Sequence, residues 1–103
     1  MRGLGAGRRL ATAGVVVGEW SLTAAAWTDR HRHAEINYVL EGELHVECDG
    51  ELAVVSAGEA VVVGPGSRAR YSAPGHARML FVYGPSADGH ASEDTLYEPL
   101  APE

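Results

Sequence analysis

The chain predicts an all-β domain, on three observations. Glycines recur at positions 42, 50, 58 and 66, the segments between them are short and rich in β-branched apolar residues, and helix start and stop signals are almost absent. The segments are otherwise unlike one another, so the rhythm is one of strands and turns and not a sequence repeat. Residues 12–17 and 20–27 read as the first strands. Tyr38, Val39 and Leu40 read as buried strand leading into a tight turn at Glu41, Gly42 and Glu43. Residues 44–48, 52–55 and 60–63 follow, with a last strand over 77–83. Both central positions of a type I′ turn need positive φ, so Asp49-Gly50 predicts a two-residue hairpin joining 44–48 to the strand after it.

A length of 103 residues accommodates one domain with a core large enough to fold alone, though one that sharing a strand face would help. Residues 1–9, rich in glycine and arginine, read as a flexible arm, 10–85 as the folded barrel, and 86–103 as a tail whose Leu96, Tyr97 and Leu100 pack on the barrel or on a second subunit. A formal charge of −6 argues against nucleic acid as a partner, because phosphate binding depends on a basic surface. All eight basic residues are arginine, which excludes a Schiff-base or phosphate-loop lysine. The single cysteine, Cys48, excludes an internal disulfide and any multi-cysteine metal site, and fits a reducing, cytoplasmic setting. Arg8-Arg9 and the apolar stretch after it have the outline of an export signal. Glu19 and Trp20 interrupt that stretch, so we read it as part of the domain.

The chemistry concentrates between Asp29 and Asn37. On a strand, alternate side chains face one way, so Asp29, His31, His33, Glu35 and Asn37 form one row, and Trp27 shares its parity. Two imidazoles and a carboxylate are a ligand set for ferrous iron, manganese, nickel or zinc with positions left open for substrate. Geometry resists it. Four residues of straight strand separate His31 from Glu35 by roughly 13 Å, whereas a metal bond is about 2 Å long, so a bulge or bend must intervene. The competing reading is a solvated polar loop over 29–33. Tyr71 has the parity to face inward and donate a hydrogen bond. His45, between the inward pair Leu44 and Val46, faces out, while His76 reads as an exposed turn residue and His90 belongs to the tail. Arg30 and Arg32 face away from the histidines. Arg68, Arg70 and Arg78 read as solvated surface, and Cys48 as a small packed side chain with no base nearby to activate it.

Over residues 20–83 the chain resembles a small single-domain cupin. Glu35 precedes Gly42 by seven positions within Tyr38-Val-Leu-Glu-Gly42-Glu-Leu44, which is similar to the first cupin motif, and Gly58-Glu-Ala-Val-Val-Val-Gly-Pro65-Gly66 resembles the second. The resemblance implies a double-stranded β-helix, or jelly-roll barrel, a divalent metal and a small polar ligand in the barrel, and a homodimer. The implied activity is that of a metal-dependent enzyme of dioxygenase, isomerase or lyase type. The alternative is a non-catalytic binding or regulatory barrel with a degraded metal site. Only Ala34 separates His33 from Glu35, where the family places three or four residues, and this leaves the register open. With Glu35 and Gly42 as anchors, the family's two histidine positions fall on Asp29 and His31. With the His-x-His kept and the loop shortened, the metal ligands are His31, His33 and Glu35, and Trp27, Asp29, Asn37 and Tyr71 line the ligand site. The second motif's histidine falls on Ala69, which coordinates nothing.

Overall fold

The computed structural model describes residues 15–84 and 93–100; the arm over 1–9 and much of the tail lie outside them. Among the described residues there are six strands: β1 (Val16–Arg30), β2 (Glu35–Cys48), β3 (Glu51–Ser56), β4 (Ala60–Val63), β5 (Arg68–Tyr83) and β6 (Glu93–Pro99). All pairings are antiparallel, in the order β3-β2-β5-β1-β6, with β4 paired to β2. No helix among the described residues is long and apolar enough to cross a membrane.

The long strands bend at their middles, and each half pairs in a different layer. Residues 16–23 of β1 pair with 76–83 of β5, and residues 25–30 pair with 68–73 and with β6. The first part of β2 lies between β4 and the end of β5, and its last part between β3 and the start of β5. The sheet thus doubles back on itself as a jelly roll, with inward residues of both layers forming one core around Trp20, Leu22, Val39, Leu44, Tyr71, Met79 and Phe81.

Corners, not chain reversals, make these bends, and here the sequence reading needs correction. The two early strands expected over 12–17 and 20–27 are, from Val16 on, one strand with a bulge at Ala24, whose φ is 47°. Thr12 to Gly14 lie outside the described residues. Glu41-Gly42-Glu43 is a corner inside β2, with register shifts on both sides of it, and not a turn between strands. Gly42 has φ +80°, and a Cβ there would sit 1.9 Å from the His76 carbonyl oxygen, so the corner admits only glycine. The strand expected over 77–83 likewise begins earlier, at Arg68, and runs through Pro74-Gly75, and β6 follows it.

Asp49-Gly50 forms the expected hairpin. Cys48 pairs with Glu51, and the two turn residues have φ of 52° and 79°, the signature of a type I′ turn. Both faces carry outward ion pairs, and one of them also carries an apolar row. On one layer Arg70 reaches Glu47 and Glu98; on the other, Val17, Val82, Ile36 and Val62 stand in one cross-strand row.

Candidate metal centre

β1 ends at Arg30 in one layer and β2 begins at Glu35 in the other, so residues 31–34 cross the mouth of the barrel. The crossing is tied at both ends: the Gly66 amide donates to the His31 carbonyl at 2.6 Å, and the Gly84 amide to the Ala34 carbonyl at 3.4 Å. The Pro65-Gly66 turn of the second motif therefore holds the backbone of the first. This bend answers the straight-strand objection, because His31 and Glu35 approach from two layers.

At the crossing, Asp29, His31 and Glu35 each offer one donor atom, all within 4.8 Å of one another. His31 Nε2 lies 3.2 Å from Asp29 Oδ2 and 2.9 Å from Glu35 Oε1. Two outer groups continue the chain: the Trp27 indole donates to Asp29 Oδ2 at 2.7 Å, and the Tyr71 hydroxyl donates to Glu35 Oε1 at 3.1 Å. The result is a line of polar contacts, Trp27 to Asp29, His31, Glu35 and Tyr71, in which each carboxylate accepts from one aromatic donor and the two share the single Nε2–H of the imidazole. Asp29, His31 and Glu35 are at most 3% exposed. Ionisable groups this deep destabilise a core unless paired, and such clusters favour function over packing. Burial alone would push His31 toward the neutral form. Its hydrogen bonds to Asp29 and Glu35, and their negative charges, outweigh burial and raise its pKa to about 9.

The sequence row is distributed as follows. His33 is buried beside the cluster, its ring centroid 5.3 Å from that of His31, and it stacks on Tyr83 at 4.6 Å with 5° between planes. Asn37 is fully buried and accepts the Trp20 indole N–H at 2.7 Å, so Trp20 is a core residue with a polar task that parity could not reveal. Ala69 is buried and directly opposite Asp29 in the β1/β5 ladder, so a methyl group stands where the family's histidine would. Tyr71 faces inward, and its hydroxyl reaches Glu35. Tyr83 forms an aromatic wall with His33 and Phe81.

The remaining candidates fall on the surface. Leu44 and Val46 are buried, and His45 between them turns out to Glu43 at 2.9 Å. His76 is exposed, 2.8 Å from Thr23 Oγ1. Arg78 joins Glu19 and Glu41. Cys48 is a free thiol whose pKa is pushed up by burial and then by Asp49, the wrong direction for a nucleophile.

The donor set fits a divalent ion. Neighbouring ligands of an octahedral ion with ~2.1 Å bonds lie ~3 Å apart, close to the two donor separations at His31. Two carboxylates and one imidazole form an oxygen-rich set, harder than the two-imidazole set first expected.

Comparison with known proteins agrees with this architecture. The chain is 31% identical to the ethanolamine utilization protein Q of Salmonella typhimurium LT2, with a TM-score of 0.68, covering 72% of this chain and 60% of that one. It is 27% identical to the EutQ protein of Clostridium difficile, with a TM-score of 0.66, covering 71% of this chain and 53% of that one. The chain therefore spans little more than half the length of these two proteins. Ectoine synthase from P. lautus, at 19% identity and a TM-score of 0.69 over 86% of this chain and 70% of that one, shares the fold. No curated protein sequence matches. The cupin domain family matches residues 19–83, and with the jelly roll and the two motifs in place, the chain belongs to the cupin family.

Proposed function

We propose that this barrel holds one divalent metal through Asp29, His31 and Glu35 and binds a small organic molecule beside it. The observation that carries this reading is the convergence of three buried donors from two layers on one point. The oxygen-rich set favours manganese or iron over zinc or nickel. Such an ion would supply Lewis acidity toward an oxygen of the bound molecule. Trp27 and Tyr71 hold the two carboxylates in orientation, and Glu35, hydrogen-bonded to Tyr71, is placed to exchange a proton with the ligand. His33 flanks the site against Tyr83 and is not one of the three converging donors. A reaction of dioxygenase, isomerase or lyase type falls within this chemistry.

Ala69 favours a second reading. With a methyl group opposite Asp29, the site lacks an imidazole from β5, and a non-catalytic binding barrel would need none. Elemental analysis of protein purified without an affinity tag separates the two. Near-stoichiometric metal that is lost in Asp29→Ala and His31→Ala variants, and largely kept in His33→Ala, supports the metal site. Metal-free protein that still takes up a small molecule supports the binding barrel.

We also infer a homodimer through the outer row Val17, Val82, Ile36 and Val62. Val62 is 65% and Ile36 40% exposed, and the row carries no charge, so a contact made there brings no like charges face to face within the row. The single free cysteine supports a reducing, cytoplasmic setting.

A further inference from the structure

Donors as deeply buried as Asp29, His31 and Glu35 leave an ion no direct approach, and a metal site needs an entry path. At the barrel mouth the backbone of residues 31–34 is tied by the Gly66 and Gly84 amides, and the second half of β1 is paired on both sides, to β5 and β6. The opposite side is different. β3 and β4 follow one another in the chain, yet β3 pairs with residues 43–48 of β2 in one layer and β4 with residues 35–38 in the other. No ladder joins β3 to β4 among the described residues, so the two layers part along this seam.

A cleft of about 270 Å³ fills the seam. Asp49, Glu51 and Ala53 on its wall are exposed, whereas Val46 and Val63 are buried, so the cleft runs from acidic surface to apolar interior. Val63 is the direct partner of Glu35 in the β2/β4 ladder, where facing Cβ atoms lie ~5 Å apart. Cys48, also on the wall, is the partner of Ala69, which is in turn the partner of Asp29. The inner end of the cleft is thus one residue from Glu35 and two from Asp29. No arginine lines it, and neither Asp49 nor Glu51 is in an ion pair among the described residues. A larger groove of about 400 Å³ on the other side of the same hairpin carries Arg68 and Arg70, and it lies on the outer face of the layer, away from the donors.

We propose, on the reading of Asp29, His31 and Glu35 as a metal centre, that the β3/β4 cleft is the path by which a divalent cation enters, with Asp49 and Glu51 steering the ion and Val63 as the last barrier. Unpaired carboxylates on a low-dielectric cleft concentrate cations there. Passage past Val63 needs only a local separation of two edge strands that share no ladder.

The test uses the full chain, stripped of metal with a chelator and mixed with manganese in a stopped-flow instrument, with tryptophan fluorescence as the readout because the Trp27 indole donates to Asp29. Calorimetry gives the equilibrium affinity. Ala53→Phe fills the cleft from an exposed position and should slow association and dissociation alike, by about tenfold, with Kd unchanged. The pair Asp49→Asn and Glu51→Gln should slow association about fivefold or more at low ionic strength and converge on the unaltered protein near about 0.5 M salt. Asparagine suits the type I′ turn, so this variant serves if Ala53→Phe does not fold. The pair Glu47→Gln and Glu98→Gln removes the same charge from the outer groove and should leave the rate within about twofold. Unaltered association in the folded cleft variants, an equal loss in the outer-groove pair, or a change in Kd without a change in association rate overturns the proposal. Uptake at an unaltered rate in the cleft variants sinks the path alone, whereas no uptake by the unaltered chain sinks the metal reading and the path with it.

Discussion

His31 Nε2 lies 2.9 Å from Glu35 Oε1, although His31 follows the end of β1 and Glu35 opens β2. The contact exists because the chain crosses between layers in residues 31–34, and it places a basic group between two buried carboxylates. Its consequences are measurable.

Stability of the metal-free protein should depend on His31. Its pKa stands at about 9 in the folded chain against 6.5 as the ordinary value, so its contribution is fully present below pH 6.5 and is lost as pH rises through about 9. Urea midpoints should fall across that window by the equivalent of on the order of 3 kcal/mol. The His31→Asn variant should show no such decline. An equally flat profile in the unaltered chain would contradict the pairing.

A metal held by His31 would displace the same proton. Apparent affinity for manganese should therefore rise with pH by about tenfold per unit until His31 is neutral near pH 9. Calorimetry in buffers of different ionisation enthalpy should detect close to one proton released per metal bound at neutral pH; release of none would count against His31 as a ligand.

Trp27→Phe removes the N–H that orients Asp29 and leaves the ring. Metal affinity should drop about tenfold or more, the range seen when groups that orient metal ligands are lost. Thermal stability measured on the apo protein should change far less, and an unchanged affinity would mean that Asp29 is held by other means.

Gly42→Ala introduces a side chain at φ +80° against the His76 carbonyl. A loss of more than about 3 kcal/mol, seen as insoluble or unfolded protein by circular dichroism, is the expected result. A variant that folds with a near-normal melting temperature would show that the corner can relax.

If the inferred dimer forms, the unaltered chain should sediment at twice the mass of one chain, and replacing Ile36 and Val62 by glutamate in the outer row should yield a folded monomer. A mass of one chain for the unaltered protein at micromolar concentration would remove the dimer inference.

Much of this protein was already legible from local physics. The glycine spacing and the alternation of apolar residues specify strands, Asp49-Gly50 specifies a hairpin because few other residues accept its backbone angles, and parity alone sends Tyr71 inward and His45 outward. The register stayed open: one of its two possibilities, with Glu35 and Gly42 as anchors, gives Asp29 and His31 the family's histidine positions, and these are the residues found with Glu35 in the cluster.

What the tertiary structure decided is everything that depends on bends. A period of two says which face a residue takes but not where a strand turns a corner, so the corner at Gly42 read as a turn between strands, the bulge at Ala24 went unmarked inside the strand expected over 20–27, and His33 had the same parity as Asp29. Only the crossing between layers, pinned by Gly66 and Gly84, brings Asp29 together with His31 and Glu35 and stacks His33 on Tyr83. Donor identity is written along the chain, whereas donor convergence is a property of how two sheets close on each other.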